Sequence, residues 1–431
     1  MINQRFIVPF QRFIHSESSS GVLLFAASVF ALIWANSPWG DIYRALWEYH
    51  IGFKTEHIEL YKPLVLWIND GLMAVFFFLI GLEVKREVLL GELNTRKKLA
   101  FPLLGALGGI IFPILIFFIL NDNPDTARGW AIPMATDIAF ALAIVKVLGN
   151  KVPFSLKVFI TAFAIVDDIA AVLVIAIFYS STLNLVYLFI AFLLLCLVYY
   201  LTYKGLYNYY FTFLIAIIVW FLLFFGGIHP TLAGVFMAFA IAIKQKATTR
   251  DFVAKSLEIT DQLRHCDDIE EPILTKDQIH TVSKMKQWLS RYESPLQRME
   301  HQLHGMVSFF IMPVFALANA GLEFSMDTLD FQFVWVIAMA LFVGKSIGIF
   351  SFVELAKRLN IVTLSREVNK RHILGIAFIA GVGFTMSLFI AGLAFEADHA
   401  HLDSAKLGVF LGSVISGITG FVILKLNKIR K

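Results

Sequence analysis

The stretch Trp130-Ala131-Ile132-Pro133-Met134-Ala135-Thr136-Asp137 lies inside an apolar run of about twenty residues. Pro133 removes a backbone donor and its ring clashes with the preceding turn, so a helix breaks or kinks there. Inside a membrane, a break is tolerated only where it lines a cavity or is buried in protein. It frees carbonyl groups that can coordinate a cation, and it leaves helix ends with partial charges. The stretch therefore predicts a membrane helix interrupted at a polar site, with a simple proline kink beside Asp137 as the alternative.

The composition of the whole chain agrees with a membrane location. Of its 431 residues, 58% are hydrophobic and 16% are charged, and its mean hydropathy is +0.74. An average soluble domain is about 45–50% apolar and about 25% charged. The apolar runs show no alternation with period two, so we predict helices and not barrel strands. Spans are expected near residues 17–37, 63–84, 98–120, 127–147, 153–178, 183–201, 206–224, 228–243, 298–320, 332–356, 371–395 and 406–425.

Lysine and arginine residues predict the orientation of these twelve spans. They cluster in the connections after the second and tenth spans and in the C-terminal tail, whereas the alternate connections are uncharged or acidic. The basic residues are Lys85, Arg86, Arg96, Lys97, Lys98, Lys357, Arg358, Lys370, Arg371 and Lys425. We therefore expect both termini to face the cytoplasm. The stretch Gly21–Ala35 is interpreted as a retained first helix, with a cleaved signal as the alternative.

Two long connections interrupt what is otherwise one transmembrane domain over residues 1–431. Residues 38–62 mix charges with aromatic side chains and either lie on the membrane or pair with a second copy. Residues 244–297 form a charged cytoplasmic insertion with a helix-like stretch, Thr275–Tyr292. This insertion is either a regulatory or docking element or a solvated loop. No basic stripe with interleaved aromatics is present, so nucleic-acid binding is not expected.

The pair Asp167-Asp168 lies near the middle of the fifth predicted span. A charge at mid-bilayer costs at least about 2.5–3.5 kcal/mol on insertion scales, so a charged residue there indicates a functional or structural role. Neighbours on a helix point about 100° apart, so one carboxylate can face a cavity and the other a partner helix. Burial favours the protonated form, and protons then compete with a hard cation for the same oxygens. The alternative for one of the two is a structural pairing with a buried base.

Two further features of the C-terminal half fit the same kind of site. Lys345 is the one basic residue well inside a predicted helix core, so it should pair with Asp167 or Asp168, or face carbonyl groups at a break. It is either a structural ion-pair partner or a carrier of a transported proton. The stretch 380–387, with Gly381 and Gly383, predicts a second interruption in span eleven. Interruptions at corresponding positions in two halves indicate inverted repeats with the site at the crossing.

These motifs resemble those of the bacterial NhaA family of sodium/proton antiporters, over nearly the whole chain; this family is itself a known example of inverted repeats. Several of the matching motifs are long, and their order agrees. The matching motifs are Trp67–Asp70, Gly81–Glu87, Gly129–Ala143, Asp167-Asp168, Gly227–Gly234 with His229, Pro313–Gly321, Gly344-Lys345 and Gly383–Ser387.

The resemblance implies an all-α polytopic fold with two discontinuous crossing helices, spans four and eleven. It implies electrogenic exchange, in which protons enter and sodium or lithium leaves, for pH and sodium homeostasis. Asp167 and Asp168 would bind the cation and protons, with Thr136 nearby. Asp137 and Lys345 would balance the crossed helix ends, and Lys345 would also take part in proton exchange. No resident cofactor is expected, because Na⁺, Li⁺ and H⁺ are cargo.

The resemblance also implies a pH-sensing cluster and a homodimer. Histidine suits such sensing because it titrates between pH 5 and 8, although charges at cytoplasmic helix ends are also ordinary markers of topology. The candidate residues are Glu83, Lys85, Arg86, Glu87, Glu300, His301 and His304. The homodimer would form in the lipid bilayer through the first external connection. Residues 244–297 depart from the family, whose connection at this place is usually much shorter.

Three other functions compete with antiport. An intramembrane aspartyl protease also needs two buried aspartates, but the Tyr-Asp and Gly-x-Gly-Asp settings are absent and Lys345 would have no use. A cation channel is simpler in design, but a closed site at broken helices favours alternating access over a channel. A transporter that couples sodium to an organic anion is the nearest rival, and the pair Asp167-Asp168 with Lys345 favours proton coupling over it.

Overall fold

The fold is seen in a computed structural model of the chain. It describes residues 17–52, 61–91, 95–180, 182–204, 206, 208–243, 247–264, 273–322, 329–361, 368–396 and 398–427. Helices dominate these residues. We number them α1 Glu17–Ala35, α2 Gly40–Trp47, α3 Leu64–Leu89, α4 Arg96–Leu120, α5 Ile138–Leu148, α6 Phe154–Phe178, α7 Leu185–Lys204, α8 Tyr209–Phe225, α9 Leu232–Ala240, α10 Thr249–Arg264, α11 Lys276–Tyr292, α12 Pro295–Asn319, α13 Phe331–Arg358, α14 Lys370–Ala380, α15 Phe384–Ala394 and α16 His399–Leu426. A 3₁₀ helix, Ala127–Met134, precedes α5.

Many of these helices are long and apolar enough to cross a membrane. In the described residues, eight pass on length and composition, or up to ten if each bent helix pair is one span. One of these pairs is α14 with α15, which meet at an angle of 41°. The prediction of an all-α polytopic membrane protein is therefore confirmed, and twelve spans remain a prediction.

The predicted eighth span differs most from its expected extent. Instead of residues 228–243, the helix α9 covers only nine residues, or about 13 Å at about 1.5 Å per residue. Gly227 has a φ of 79° and Pro230 follows it, so the chain turns before the helix begins. At the other end, Ile241 is already extended. The apolar composition predicted a span but gave no indication of these two turns.

Side chains from other helices bind the carbonyl groups that α9 leaves at its C-terminal end. The ammonium of Lys85, on α3, donates to the carbonyls of Phe239, at 2.7 Å, and Ile241. The hydroxyl of Thr202, on α7, donates to the carbonyl of Ala240 at 3.1 Å. These contacts satisfy groups that every helix end exposes, so the short α9 ends inside the protein.

The first long connection packs against the helices that flank it. Tyr43 and Trp47 of α2 are buried, and the Tyr43 hydroxyl donates to the carbonyl of Leu317 at 2.8 Å. Strands β1, His50–Ile51, and β2, Lys62–Pro63, pair antiparallel, which the sequence did not predict. Phe53 lies outside the described residues. Of the aromatic side chains in residues 38–62, Tyr43 and Trp47 therefore face this chain, while Tyr61 is exposed.

Buried polar pairs link α3 to its neighbours near the start of that helix. Lys62 forms an ion pair with Asp70 at 3.0 Å, and Trp220 donates to the backbone carbonyl of Asp70 at 2.9 Å. Asn69 and Asn319 bond each other reciprocally, at 3.1 Å and 2.8 Å. The asparagine pair joins α3 to the end of α12, two helices that are far apart in sequence.

The described part of the charged insertion contains two helices, α10 and α11, which pack together through the stacked rings of Phe252 and Tyr292. The helix-like stretch predicted at Thr275–Tyr292 is a helix whose N-cap is Thr275, with a capping box completed by Gln278. Residues 244–246 and 265–272 of the insertion lie outside the described residues.

Helices α4 and α13 cross so closely that only glycine fits at the contact. A Cβ on Gly108 would lie far inside contact distance of the Gly348 carbonyl oxygen, and a Cβ on Gly348 would meet the Gly108 carbonyl in the same way. Small residues that let two backbones approach are typical of membrane helix pairs. This crossing fixes the position of α13, which carries Lys345.

Gly348→Ala is therefore expected to destabilise the protein by about 1–3 kcal/mol, since both colliding atoms are backbone. Thermal unfolding in detergent measures the change. The matched control is Gly305→Ala on α12, where a Cβ meets open space and alanine improves helix propensity by about 0.5–1 kcal/mol. Equal melting temperatures for the two variants would contradict this account of the crossing.

Candidate functional site

The carboxylate of Asp137 caps the N-termini of two helices at once. Its Oδ1 accepts the backbone N–H of Phe140 in α5 at 3.1 Å. Its Oδ2 accepts the backbone N–H of Thr385 in α15 at 3.0 Å, and the Thr385 hydroxyl at 2.5 Å. Helix N-termini carry partial positive charge and favour an anion. Because Asp137 is only 1% exposed, these donors take the place of water around it.

The two interruptions, residues 135–137 and residues 381–383, are bonded directly to each other. Ala135 and Asp137 have extended backbones between the 3₁₀ helix and α5. The Asp137 N–H donates to the carbonyl of Val382 at 2.7 Å. The Thr136 hydroxyl donates to the carbonyl of Ala380, the last residue of α14, at 2.9 Å. The backbone groups that the breaks release thus find partners across the crossing.

Lys345 reaches the same crossing from α13 and is completely buried. Its ammonium donates to Asp167 Oδ2 at 2.9 Å and to the carbonyl of Met134. Sequence analysis expected either a carboxylate or carbonyl groups at a break as its partner, and the structure provides both. Met134 ends the 3₁₀ helix, so the ammonium lies at a helix end with partial negative charge.

The two carboxylates on α6 are buried and only partly satisfied. Asp167 is 1% exposed and Asp168 is 2% exposed. In the part of the chain that the structure describes, Asp167 Oδ1 and Asp168 Oδ2 form no hydrogen bond. A buried carboxylate oxygen without a partner is costly. Two such oxygens on adjacent residues suit a hard cation, which prefers carboxylate oxygen ligands, and protons suit the same oxygens.

Thr136 lies beside Asp167, as sequence analysis expected. Its hydroxyl hydrogen is already donated to Ala380, so only the oxygen lone pairs can face a cation. The structure therefore brings together Thr136, Asp137, Asp167, Asp168 and Lys345.

The candidate pH-sensing residues do not form one cluster. Arg86 pairs with Glu87 at 2.9 Å and with Glu300 at 2.7 Å. Glu83 lies within electrostatic range of these three residues, and it also acts on Asp168.

In the described contacts, Lys85 and His304 stand apart from that arrangement, whereas His301 lies within electrostatic range of Glu300. Lys85 points to the end of α9, as described above. The histidines lie on α12 near Glu300, and both are exposed. The resemblance implied a single group, but Lys85 and Arg86 point in different directions because neighbours on a helix differ by about 100°.

Three residues complete the crossing, and of these the sequence analysis gave a role to Gly383 alone, in the second interruption. Thr385 binds Asp137, the Ser387 hydroxyl donates to the carbonyl of Ile132 at 2.8 Å, and Gly383 allows the close approach. A Cβ on Gly383 would collide with the Ser387 hydroxyl and lie 2.7 Å from the Ala135 carbonyl oxygen. All three lie in the quoted stretch 380–387, so hydroxyl residues just after a predicted break were the available signal.

Two carboxylates and a lysine buried together inside a helical membrane protein are typical of proteins that move ions across the membrane. The chain belongs to the Na⁺/H⁺ antiporter 1 family, whose model matches residues 11–424. The resemblance to the NhaA family is thereby confirmed, and the chain is a secondary transporter.

Relatives match the chain over nearly its full length. A protein of Oleidesulfovibrio alaskensis named Na(+)/H(+) antiporter NhaA is 41% identical over 428 residues, which cover 98% of this chain and 94% of that protein. One of Aliarcobacter butzleri, named Na(+)/H(+) antiporter NhaA 1, is 40% identical over 417 residues, 96% of each chain. One of Glaesserella parasuis, named Na(+)/H(+) antiporter NhaA, is 39% identical over 423 residues, again 96% of each.

Gly383→Ala is expected to lower transport by about tenfold or more, because displacing the crossing misplaces Asp137 and Lys345. Ion-driven proton movement in membrane vesicles measures the loss. The matched control is Gly392→Ala on the same helix, where a Cβ would make an ordinary contact with Asn69 at 3.9 Å. Similar transport by the two variants would refute the need for a close approach at Gly383.

Proposed function

We propose that the protein exchanges sodium for protons at the Asp167–Asp168 pair. The observation that carries the proposal is the pair of unpartnered, fully buried carboxylate oxygens beside an ion pair with Lys345. The names of its relatives support the same reaction.

Exchange follows from competition for one negative charge. Asp167 shares its charge with the Lys345 ammonium at 2.9 Å, while Asp168 lies within electrostatic range of Asp137, Glu83 and Lys345. A cation and a proton both need the negative charge of these carboxylates. A sodium ion at the free oxygens must therefore displace protons from the carboxylates or from Lys345. Binding of the two cargoes is mutually exclusive, which is the requirement for antiport.

The finer properties are part of the proposal. The exchange is electrogenic, lithium is carried as well as sodium, and no resident cofactor takes part. The exchange lets the proton gradient remove sodium and adjusts internal pH. The chain crosses the bacterial inner membrane twelve times, with both termini in the cytoplasm, and spans four and eleven are the corresponding discontinuous members of two inverted repeats. In support of this arrangement, both interruptions lie at one crossing and share the carboxylate of Asp137.

The two long connections receive separate roles. Residues 38–62 contribute to a homodimer within the lipid bilayer, using the parts of the segment that do not face their own chain. Exposed apolar side chains on α2 and the residue before it, Trp39, Ile42 and Leu46, support this surface. Residues 244–297 form a cytoplasmic unit outside the transport path, whose α10 and α11 pack on each other.

The central test follows the pH gradient of everted vesicles energised by respiration while sodium, lithium or potassium is added. Sodium and lithium are expected to collapse the gradient, and potassium is not. Asp167→Asn and Asp168→Asn are each expected to abolish the response, because an amide cannot bind and release the exchanged proton.

The control for that test is Asp251→Asn, a change of the same kind on the exposed face of α10. It should respond like the wild type. A well-inserted wild-type protein that leaves the gradient unchanged with sodium at every pH would refute the exchange mechanism. Sodium-coupled uptake of a solute would then be the next activity to test.

The response to pH is proposed to depend on Glu83, Arg86, Glu87 and Glu300. Glu300→Gln removes one of the two carboxylates that share Arg86, so the pH of half-maximal exchange is expected to shift while the maximal rate is retained. The profile is measured in the same vesicles between about pH 6 and pH 9, which includes the physiological range. Glu354→Gln, which removes the partner of Lys370 at 3.1 Å, serves as the control. Equal profiles for the two variants would remove Glu300 from the pH response.

A further inference from the structure

The helices α10 and α11 of the charged insertion form an antiparallel pair. The ring of Phe252, near the start of α10, stacks on the ring of Tyr292, at the end of α11, with 4.4 Å between the ring centroids. The hydroxyls of Thr249 and Tyr292 are 3.4 Å apart at the same end of the pair. The start of one helix thus lies beside the end of the other, and Phe252 and Tyr292 mark the contact line between the two helices.

Exposed apolar side chains lie on one face of this pair. Val253 and Leu257 are rotated by about 100–140° from the contact line around the axis of α10. Ile279 and Leu289 are rotated by about 60–140° from it around the axis of α11, in the same sense. Because the helices are antiparallel, rotation in the same sense leads to the same face of the pair. These four side chains are 46–67% exposed, so most of this face is uncovered in the described part of the chain.

The charged residues of the pair are divided between its two faces. Arg250, Arg264 and Lys286 are exposed, and they are rotated by about 120–160° in the same sense as the apolar side chains. The acidic residues that the structure describes in these two helices are turned to the opposite face or directly away from the partner helix. They are Asp251, Glu258, Asp261 and Asp277. One face is therefore apolar and basic, and the acidic groups lie elsewhere.

The pair is tethered close to a membrane span. Two residues separate the end of α11 at Tyr292 from the start of α12 at Pro295, and α12 is long and apolar enough to cross a membrane. This connection reaches at most about 11 Å. A helix with an apolar face and basic residues beside it lies in the plane of the membrane surface and is attracted to anionic lipids. Basic residues near a membrane span are attracted to the same lipids.

We propose that the apolar and basic face of α10 and α11 docks on anionic lipid headgroups of the membrane in which the protein resides. The four apolar side chains enter the boundary between headgroups and acyl chains, and the three basic side chains bind lipid phosphates. The separation of basic from acidic groups favours an anionic surface over a second protein. This inference rests on the proposed cytoplasmic location of the insertion and is independent of the exchange reaction.

The experiment measures which face of the pair contacts lipid, using the full-length protein in lipid vesicles. After Cys196→Ala and Cys266→Ala, a nitroxide is attached at Leu257→Cys or Leu289→Cys on the proposed face, or at Glu258→Cys on the opposite face as the matched control. Electron paramagnetic resonance gives the collision rates of the nitroxide with oxygen, which concentrates in the bilayer, and with a water-soluble nickel complex.

The two faces are expected to differ in vesicles of phosphatidylcholine with phosphatidylglycerol. There the oxygen-to-nickel ratio at Leu257→Cys and Leu289→Cys should exceed the ratio at Glu258→Cys severalfold. In vesicles of phosphatidylcholine alone, which carry no net charge, this difference should be lost, because the basic side chains then have no anionic surface to bind.

Removal of basic residues tests what attracts the face. A triple variant combines Arg250→Gln, Arg264→Gln and Lys286→Gln, and its ratio at Leu257→Cys is expected to fall to the value found in uncharged vesicles. The matched control removes the same number of charges from lysines that are rotated in the opposite sense, and its ratio should stay unchanged. It combines Lys255→Gln, Lys276→Gln and Lys284→Gln.

Three results would overturn the proposal. Equal ratios at Leu257→Cys and Glu258→Cys in the anionic vesicles would show that this face does not contact lipid. Low accessibility of Leu257→Cys to both reagents would show that protein covers the face instead. Equal ratios in the two kinds of vesicle would exclude recognition of anionic headgroups. The comparison of vesicle compositions needs no charge variant, so it decides even if the triple variant does not insert.

The proposed location and the exchange reaction are tested separately. A maleimide that cannot cross membranes should label Glu258→Cys in everted vesicles and not in right-side-out vesicles. The reverse pattern would refute the cytoplasmic location and the docking proposal with it. A failure of the exchange mechanism appears only as a wild-type protein that does not respond to sodium, and it leaves the nitroxide accessibilities unchanged.

Discussion

A charge buried in a membrane protein must find its counter-charge inside the protein, and the ion pair between Lys345 and Asp167 follows from this constraint. Lysine on α13 and aspartate on α6 can meet only if both helices pass the crossing of the interrupted helices. The glycine contact between α4 and α13 sets one of these positions, and Gly383 sets the closeness of the crossing. Three segments that are distant in sequence must therefore pack together correctly before the ion pair can form. In the proposed exchange, this pair is also the contact that a bound sodium ion must break.

The charged residues of the site were largely predictable from the sequence, because a charged residue is easily recognised within an apolar run. Asp137, Asp167, Asp168 and Lys345 were found this way, and Pro133 located the first interruption. The hydrogen-bond partners within the site were harder to predict. Ser387 and Ile132 are separated by 255 residues, and no local pattern specifies that a hydroxyl will face a carbonyl so far along the chain.

The fold was predictable to a similar extent and failed for a similar reason. Hydrophobic runs located the helices, and Thr275 marked the start of α11. The shortness of α9 was missed because its end depends on Lys85 and Thr202, which belong to other helices. Lys85 was grouped with its charged neighbours, since position in the sequence says nothing about which way a side chain turns. Local composition thus predicts elements, while long-range hydrogen bonds decide where they stop.

The asparagine pair between α3 and α12 has a consequence for a protein whose surroundings change in pH. An amide side chain neither gains nor loses a proton at physiological pH. The bonds between Asn69 and Asn319 therefore have the same strength in mildly acidic and mildly alkaline conditions. The opposite part of α3 is joined to the same partner helix by Arg86 and Glu300, whose attraction depends on ionisation. This helix pair therefore has one contact that does not depend on pH and, at its other end, one contact that does. A change in acidity therefore acts on the contact between these two helices at one end only.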